Sequence, residues 1–181
     1  MALTLITTDT VSSEATSSFT SIDSTYKLYI FKFINISPET DDAEFQFNTS
    51  TDGGSNYNGD KNTQIFSADC PETGGSPSYQ YESSYDLAAG SGTGFQSLSI
   101  DPEGSGTAAD SSGSGELYLF DPSNATTVCY FNSRFTYMST TPGAWDVYAS
   151  GYVNAAADVD AVQFKCSSGD FSGIIKMYGV T

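Results

Sequence analysis

The C-terminal end of the chain contains two segments in which apolar and polar residues alternate. The first runs from Val159 to Gly169, the second from Ile174 to Val180, and the short sequence Asp170-Phe171-Ser172-Gly173 separates them. Alternation with a period of two is typical of β-strands that have one buried face. We therefore predict a C-terminal hairpin whose last strand closes a sheet, and hence an all-β domain.

The composition favours the same fold class. The 181 residues fit one domain with a core of its own. Hydrophobic residues make up 38% of the chain and include 12 tyrosines and 12 phenylalanines, on a background rich in serine, threonine and glycine. Aromatic and β-branched side chains suit pleated sheets, and disordered chains are poor in them.

Patterning along the chain predicts nine or ten strands and no helix beyond a single turn near Tyr85. The segment Tyr26–Ile34 is apolar on both alternate sets, which predicts a strand covered on both faces. In the next strand Ala43, Phe45 and Phe47 should point inward. The prediction is one antiparallel β-sandwich over residues 1–181, of jelly-roll type.

Residues 58–115 differ in character from the rest of the chain. They hold short strand candidates at Gln64–Ser67, Tyr79–Tyr85 and Phe95–Ile100, between glycine- and serine-rich loops such as Gly90–Gly94 and Gly104–Gly106. We interpret 1–57 and 116–181 as the framework and 58–115 as a loop-rich elaboration. Loops on a rigid sheet commonly carry recognition, so we expect this segment to project outward.

The net charge of −16, from 22 acidic and 6 basic residues, argues against two kinds of partner. Nucleic acid and anionic membranes both require clustered basic side chains. The N-terminal sequence lacks a basic region and a sufficient apolar run, which predicts no signal peptide and no export. Reduced thiols are then expected, with Cys129 and Cys166 as small core residues.

No catalytic constellation is recognisable, and we expect a non-enzymatic protein without a cofactor. The chain has no histidine, which excludes histidine-dependent triads and histidine-ligated metals. The segment Gly54–Lys61 begins like a phosphate-binding loop, but Asp60 stands where a lysine is required. A pair of carboxylates, as in glycosidases, does not by itself indicate a catalytic site. Any chain with 22 acidic residues contains such pairs, and only their separation in space would be diagnostic.

Two kinds of binding site, one for calcium and one for sugars, have to be considered from the sequence. Asp52, Asn56, Asn58, Asp60 and Asn62 supply oxygen ligands of the kind that calcium prefers, although their spacing differs from an EF-hand and suits a hairpin turn better. We therefore predict a turn and no metal site. Exposed tyrosines could also stack on sugars, or lie in the core or a subunit interface. The candidates for either role are Tyr79, Tyr81, Tyr85 and Trp145.

Two blocks of sequence resemble a family of small virion proteins from marine tailed bacteriophages, cyanophages among them. The first block runs from Ser18 to Tyr29 and continues at Phe47–Ser55; the second runs from Val162 to Val180. The resemblance covers roughly the first 55 and last 25 residues, around a variable centre. It implies no catalytic residue.

The resemblance and the residues together lead to one leading expectation. The chain is expected to be a phage virion structural protein, a capsid decoration (cement) protein that forms a homotrimer and contacts the major capsid protein. The alternative is a tail, fibre or baseplate component that contacts tail proteins and binds host surface glycans.

Overall fold

The computed structural model describes residues 2–100, 111–139 and 143–181, and these form an antiparallel β-sandwich. Within these ranges there are twelve strands, one 3-10 helix at Ser83–Tyr85 and no α-helix. None of the described residues forms a helix long and apolar enough to cross a membrane. The strands are β1 Leu3–Glu14, β2 Thr16–Phe19, β3 Leu28–Pro38, β4 Phe45–Ser50, β5 Lys61–Pro71, β6 Ser78–Tyr81, β7 Gln96–Ser97, β8 Gly113–Phe120, β9 Cys129–Met138, β10 Gly143–Val153, β11 Ala161–Cys166 and β12 Phe171–Val180.

The strands form two sheets of unequal size. The large sheet has eight strands in the order β1-β12-β3-β8-β9-β10-β5-β6, and the small sheet has four in the order β2-β11-β4-β7. All the pairings are antiparallel. The predicted fold class is therefore confirmed as an antiparallel β-sandwich, and the narrower jelly-roll topology stays a prediction.

The core lies between the two sheets and is dominated by phenylalanine rings. Phe164 of the small sheet packs against Phe31 and Phe33 of the large sheet, with both pairs of ring centroids 5.1 Å apart. Ala43, Phe45 and Phe47 are completely buried, which confirms the predicted inward face of β4. Edge-on aromatic pairs of this kind add to the free energy gained from burial alone.

The two C-terminal strands exist, but they do not form the predicted hairpin. β11 pairs with β2 and β4 in the small sheet, whereas β12 pairs with β1 and β3 in the large sheet. The intervening residues, with Gly169 at a φ of +68°, carry the chain from one sheet to the other. The connection is a β-arch, in which Phe164 and Ile175 both point into the shared core and are fully buried.

The prediction that the strand around Tyr26–Ile34 is covered on both faces is wrong for the outer face. β3 is an interior strand between β12 and β8, and its inward side chains Tyr29, Phe31 and Phe33 are buried. Its other alternate set faces away from the small sheet, where Ile34 is 37% exposed. On that set Ile34 is a surface residue and Leu28 is half-buried, whereas Ile30 is buried among its neighbours on the sheet.

The interpretation of residues 58–115 as elaboration also needs correction. β5 is eleven residues long and lies inside the large sheet between β10 and β6. Ile65, Leu98 and Ile100 from this segment are buried in the main core. The described part of the segment is thus integral to the sandwich. Its loop at Gly104–Gly106 lies outside the described residues.

Candidate functional site

One surface of the sandwich carries its exposed apolar side chains. We call this surface the outer face: the side chains of the large sheet that point away from the small sheet. The large apolar side chains that are markedly exposed among the described residues all belong to it, and they are Leu3, Leu5, Ile34, Tyr79, Tyr81, Phe120, Tyr130 and Tyr148. Concentration of exposed apolar groups on one surface is typical of an interaction site.

The strand registers divide the outer face into two halves of different chemistry. On β1, β12 and β3 the outward side chains are mostly aliphatic, and we call this region the aliphatic half. It contains two cations, Lys32 and Lys176, which occupy directly opposite positions on the neighbouring strands β3 and β12. The remaining outward residues of the aliphatic half are Leu3, Leu5, Thr8, Thr10, Leu28, Ile30, Ile34, Ile174, Tyr178 and Val180.

On β8, β9, β10, β5 and β6 the outward side chains are mostly aromatic or polar, and we call this region the aromatic half. Tyr148 lies between Arg134 on β9 and Phe66 on β5 in the register of the sheet. Phe66 in turn stacks on Tyr79, with ring centroids 5.9 Å apart and planes 10° from parallel. The rings therefore form a continuous surface that extends to the edge of the sheet at β6.

A groove of about 440 Å³ crosses the aromatic half at one end of these strands. We call it the groove. Its rims are aromatic, and its other outward side chains are amides and a serine. None of the described residues that line it is charged. Its outward-pointing side chains are Asn62, Gln64, Phe120, Tyr130, Asn132, Ser150 and Tyr152.

Charge is distributed very unevenly between the outer face and the rest of the molecule. Three of the 6 basic residues, Lys32, Arg134 and Lys176, point outward from the large sheet. Glu116 pairs with Lys32, and Asp146 accepts a bidentate contact from Arg134 at 2.7–3.1 Å. The outer face is thus close to neutral on a chain of net charge −16, which lowers the electrostatic cost of covering it.

The five oxygen-bearing residues considered for calcium separate into two groups with different partners. Asp52 accepts hydrogen bonds from the backbone N–H and the side-chain amide of Asn56, at 2.9 and 2.7 Å. Asp60 accepts from the backbone N–H groups of Gly90 and Gly92, at 2.7 and 2.9 Å. These bonds hold the pKa of both carboxyls below the ordinary value.

Asn62 belongs with Asp60, because its amide oxygen accepts from the backbone of Ala89 in the same loop. Asn58 is exposed between the two groups. Asp52 thus stabilises its own turn, and Asp60 ties a second loop to β5. The described residues contain no cluster of three or more histidine, cysteine or acidic side chains suited to a metal ion.

The four aromatic residues considered for sugar binding or packing also divide into two pairs, one exposed and one partly buried. Tyr79 and Tyr81 are 69% and 54% exposed and flank Phe66 on the outer face. Tyr85 and Trp145 are partly buried and pack against the core, where Trp145 stacks on Tyr137. The structure therefore leaves two of the four available to a partner.

Two of the three cysteines and one lysine are buried in the fold. Cys129 and Cys166 are buried, as predicted, and burial raises the pKa of each thiol to about 12. Lys61 is fully buried, and its ammonium group donates to the Asn48 amide oxygen and to the carbonyls of Gly59 and Gly94, at 2.5, 2.6 and 3.0 Å. This contact joins the small sheet to the loops around β5.

The groove residues were missed by the sequence analysis, although the signal was present. In β9 the inward set Phe131, Phe135 and Tyr137 alternates with an outward set that contains Tyr130 and Asn132. An aromatic residue on the polar set of an alternating strand marks a ring directed at solvent. Sequence alone does not show that Phe120 and Tyr152 lie beside Tyr130, because that depends on which strands pair.

Comparison with known proteins returns no match, either to a protein-family model or to a curated protein sequence. The outer face and the sequence resemblance stated above are therefore the features from which a function can be proposed.

Proposed function

We propose that the chain is a non-enzymatic structural subunit of a tailed-phage virion and decorates the outer capsid as a cement protein. The observation that carries the proposal is the aliphatic half of the outer face. Leu3 and Leu5 are 54% and 50% exposed there, beside Ile34. An apolar surface of this kind is stabilised when a protein partner covers it.

The aliphatic half can supply part of a subunit contact. Its three strands, spaced by about 4.8 Å and roughly 30 Å long, cover about 400 Å². Each partner in a stable protein complex contributes about 800 Å², so adjoining surfaces of the subunit are also covered in the proposed contact. The proposed occupant of the aliphatic half is a neighbouring copy of the chain, with the major capsid protein beneath the assembled subunits.

A tail, fibre or baseplate component is the second candidate, and the aromatic half supports it. Exposed rings beside uncharged amides suit host glycans, because rings can stack on the apolar faces of sugars while amides form hydrogen bonds with the hydroxyls.

Copy number in purified particles of the parent phage tests the leading proposal. Quantitative mass spectrometry, with the major capsid protein as the internal standard, is expected to give hundreds of copies per particle. A few to a few tens of copies would support the tail location instead. Absence from purified particles would overturn both candidates.

A further inference from the structure

We propose that the groove is a binding site for a neutral oligosaccharide. The inference deepens the second candidate function by naming the site and the ligand class, but it does not depend on the location of the protein in a particle. A decoration protein and a tail protein could both present the groove outward.

The rings in the groove are placed to stack on sugars. Tyr130 is 57% exposed and Phe120 38% exposed, on neighbouring positions of β9 and β8. The ring of Tyr152 lies 6.1 Å from that of Tyr130, with the two planes 64° apart. The C–H faces of a saccharide can bury such rings, while the tyrosine hydroxyls stay available for hydrogen bonds.

The polar groups between the rings match hydroxyls better than charges. Carboxamides donate and accept hydrogen bonds, as sugar hydroxyls also do. Gln64 donates to Ser150 at 3.3 Å across the floor. Among the described residues, the amide of Asn132 and the hydroxyls of Tyr130 and Tyr152 have no hydrogen-bond partner in the protein. They are available to a ligand.

The dimensions of the groove indicate a short oligosaccharide. It crosses β8, β9, β10 and β5, and three strand spacings of about 4.8 Å give a length of about 14 Å. Its volume of about 440 Å³ lies within the ordinary range for small-molecule sites. Ser150 and Gly151 are small, which places the floor below the level of the surrounding rings.

The lack of charge in the groove selects the class of saccharide. Since the described residues that line it include neither a basic nor an acidic side chain, none of them compensates the desolvation of a sulfate or carboxylate. The chain also carries a net charge of −16, which repels sialylated or sulfated glycans. Neutral hexose and N-acetylhexosamine oligomers remain.

Saturation-transfer difference NMR on the full chain tests the proposal. The probes are neutral oligosaccharides of glucose, galactose, mannose, rhamnose and N-acetylglucosamine, with sialylated and sulfated oligosaccharides for comparison. We expect saturation transfer to at least one neutral probe and to none of the acidic ones. The affinity for that probe should fall about tenfold or more in Tyr130→Ala and in Asn132→Ala.

Tyr178→Ala is the matched control, because Tyr178 lies on the outer face but in the aliphatic half. It should bind the probe as the natural chain does. The replaced side chains all lie on the surface, and unchanged thermal melting verifies that the variants fold. The proposal is overturned if no neutral probe receives saturation, if acidic probes are preferred, or if both groove variants bind normally.

These outcomes are distinguishable from failure of the virion proposal. A chain that binds no saccharide but is present at high copy number on particles would overturn the groove site alone. Loss of binding only above the concentration at which the chain self-associates would indicate that a second copy occupies the groove, and that result also overturns the saccharide site.

Discussion

Lys61 is a fully buried lysine whose protonation should affect stability. Burial lowers the pKa of its ammonium group to about 7 from the ordinary 10.5, and the nearby Asp60 opposes the shift. Three oxygen acceptors surround the nitrogen. The side chain therefore both joins the two sheets and couples folding to pH.

The direction of the coupling follows from which state holds the proton. Between pH 7 and pH 9 the unfolded chain keeps Lys61 protonated, whereas the folded chain progressively releases the proton. Since the unfolded state then binds more protons at this group, the contribution of Lys61 to the free energy of unfolding rises with pH. The expected gain from this group is about 2 kcal/mol over that interval.

Urea unfolding of the natural chain and of Lys61→Met at pH 7, 8 and 9 measures the effect. The variant is expected to be less stable throughout, because three buried acceptors lose their donor. Burial also raises the pKa of the Cys129 and Cys166 thiols, which lowers the stability of both proteins as the pH rises. The difference in stability between the natural chain and Lys61→Met should therefore change by about 2 kcal/mol between pH 7 and pH 9. The difference between the natural chain and Lys27→Met, which removes an exposed lysine, should stay constant. Parallel pH profiles for the natural chain and Lys61→Met would contradict the assigned coupling.

At the scale of secondary structure, β12 is required for the large sheet. It pairs with β1 on one side and β3 on the other, and it buries Ile175 and Met177 completely. Removing residues 174–181 would leave both neighbours with unpaired backbone groups and open the core. Unpaired strand edges and exposed apolar faces both favour aggregation.

We therefore expect deletion of residues 174–181 to abolish cooperative folding. Circular dichroism and thermal melting of the soluble fraction provide the measurement. Removal of Thr181 alone is the control, because it leaves β12 intact, and that protein should melt normally. A soluble protein lacking residues 174–181, with an unchanged melting transition, would show that β12 is dispensable.

Alternation predicted that β11 and β12 exist but could not assign them to sheets. Both strands direct one face at the same core, so Phe164 and Ile175 look equivalent in the sequence although they come from opposite sheets. The short turn between the strands suggested a hairpin. Whether such a turn joins paired strands or crosses between sheets depends on long-range pairing, here with β4 and β3.

β5 illustrates a second limit. Its inward positions include Lys61, Thr63 and Ser67, which are all buried. Polar residues on the buried set weaken the alternation that identifies a strand, and only Gln64–Ser67 was predicted. The hydrogen bonds that satisfy Lys61 come from Asn48, Gly59 and Gly94, and their proximity exists only in the folded chain. The groove could not be predicted from the sequence for the same reason, because its lining residues come from four strands that meet only in the folded chain.

For the whole molecule, the distribution of charge predicts how copies meet. The outward positions of β1, β12 and β3 carry Lys32 and Lys176 and no acidic residue, whereas the chain as a whole is at −16. A twofold contact between aliphatic halves would bring lysines against lysines. Contact between this half and a different, acidic surface of the next copy avoids that repulsion, and such heterologous contacts form a ring when the rotation between copies closes.

We therefore expect a homotrimer held by the aliphatic half of each copy. Sedimentation velocity should give a trimer for the natural chain and a monomer for the double variant Leu5→Asp, Ile34→Asp, because the introduced carboxylates would be desolvated in the contact. The double variant Tyr79→Asp, Tyr81→Asp places the same two charges on the aromatic half, where both exposed tyrosines lie far along the sheet at β6, and it should remain trimeric. A strict monomer at high concentration, or a trimer that survives the double variant, would mean that the aliphatic half meets something other than a second copy of this chain.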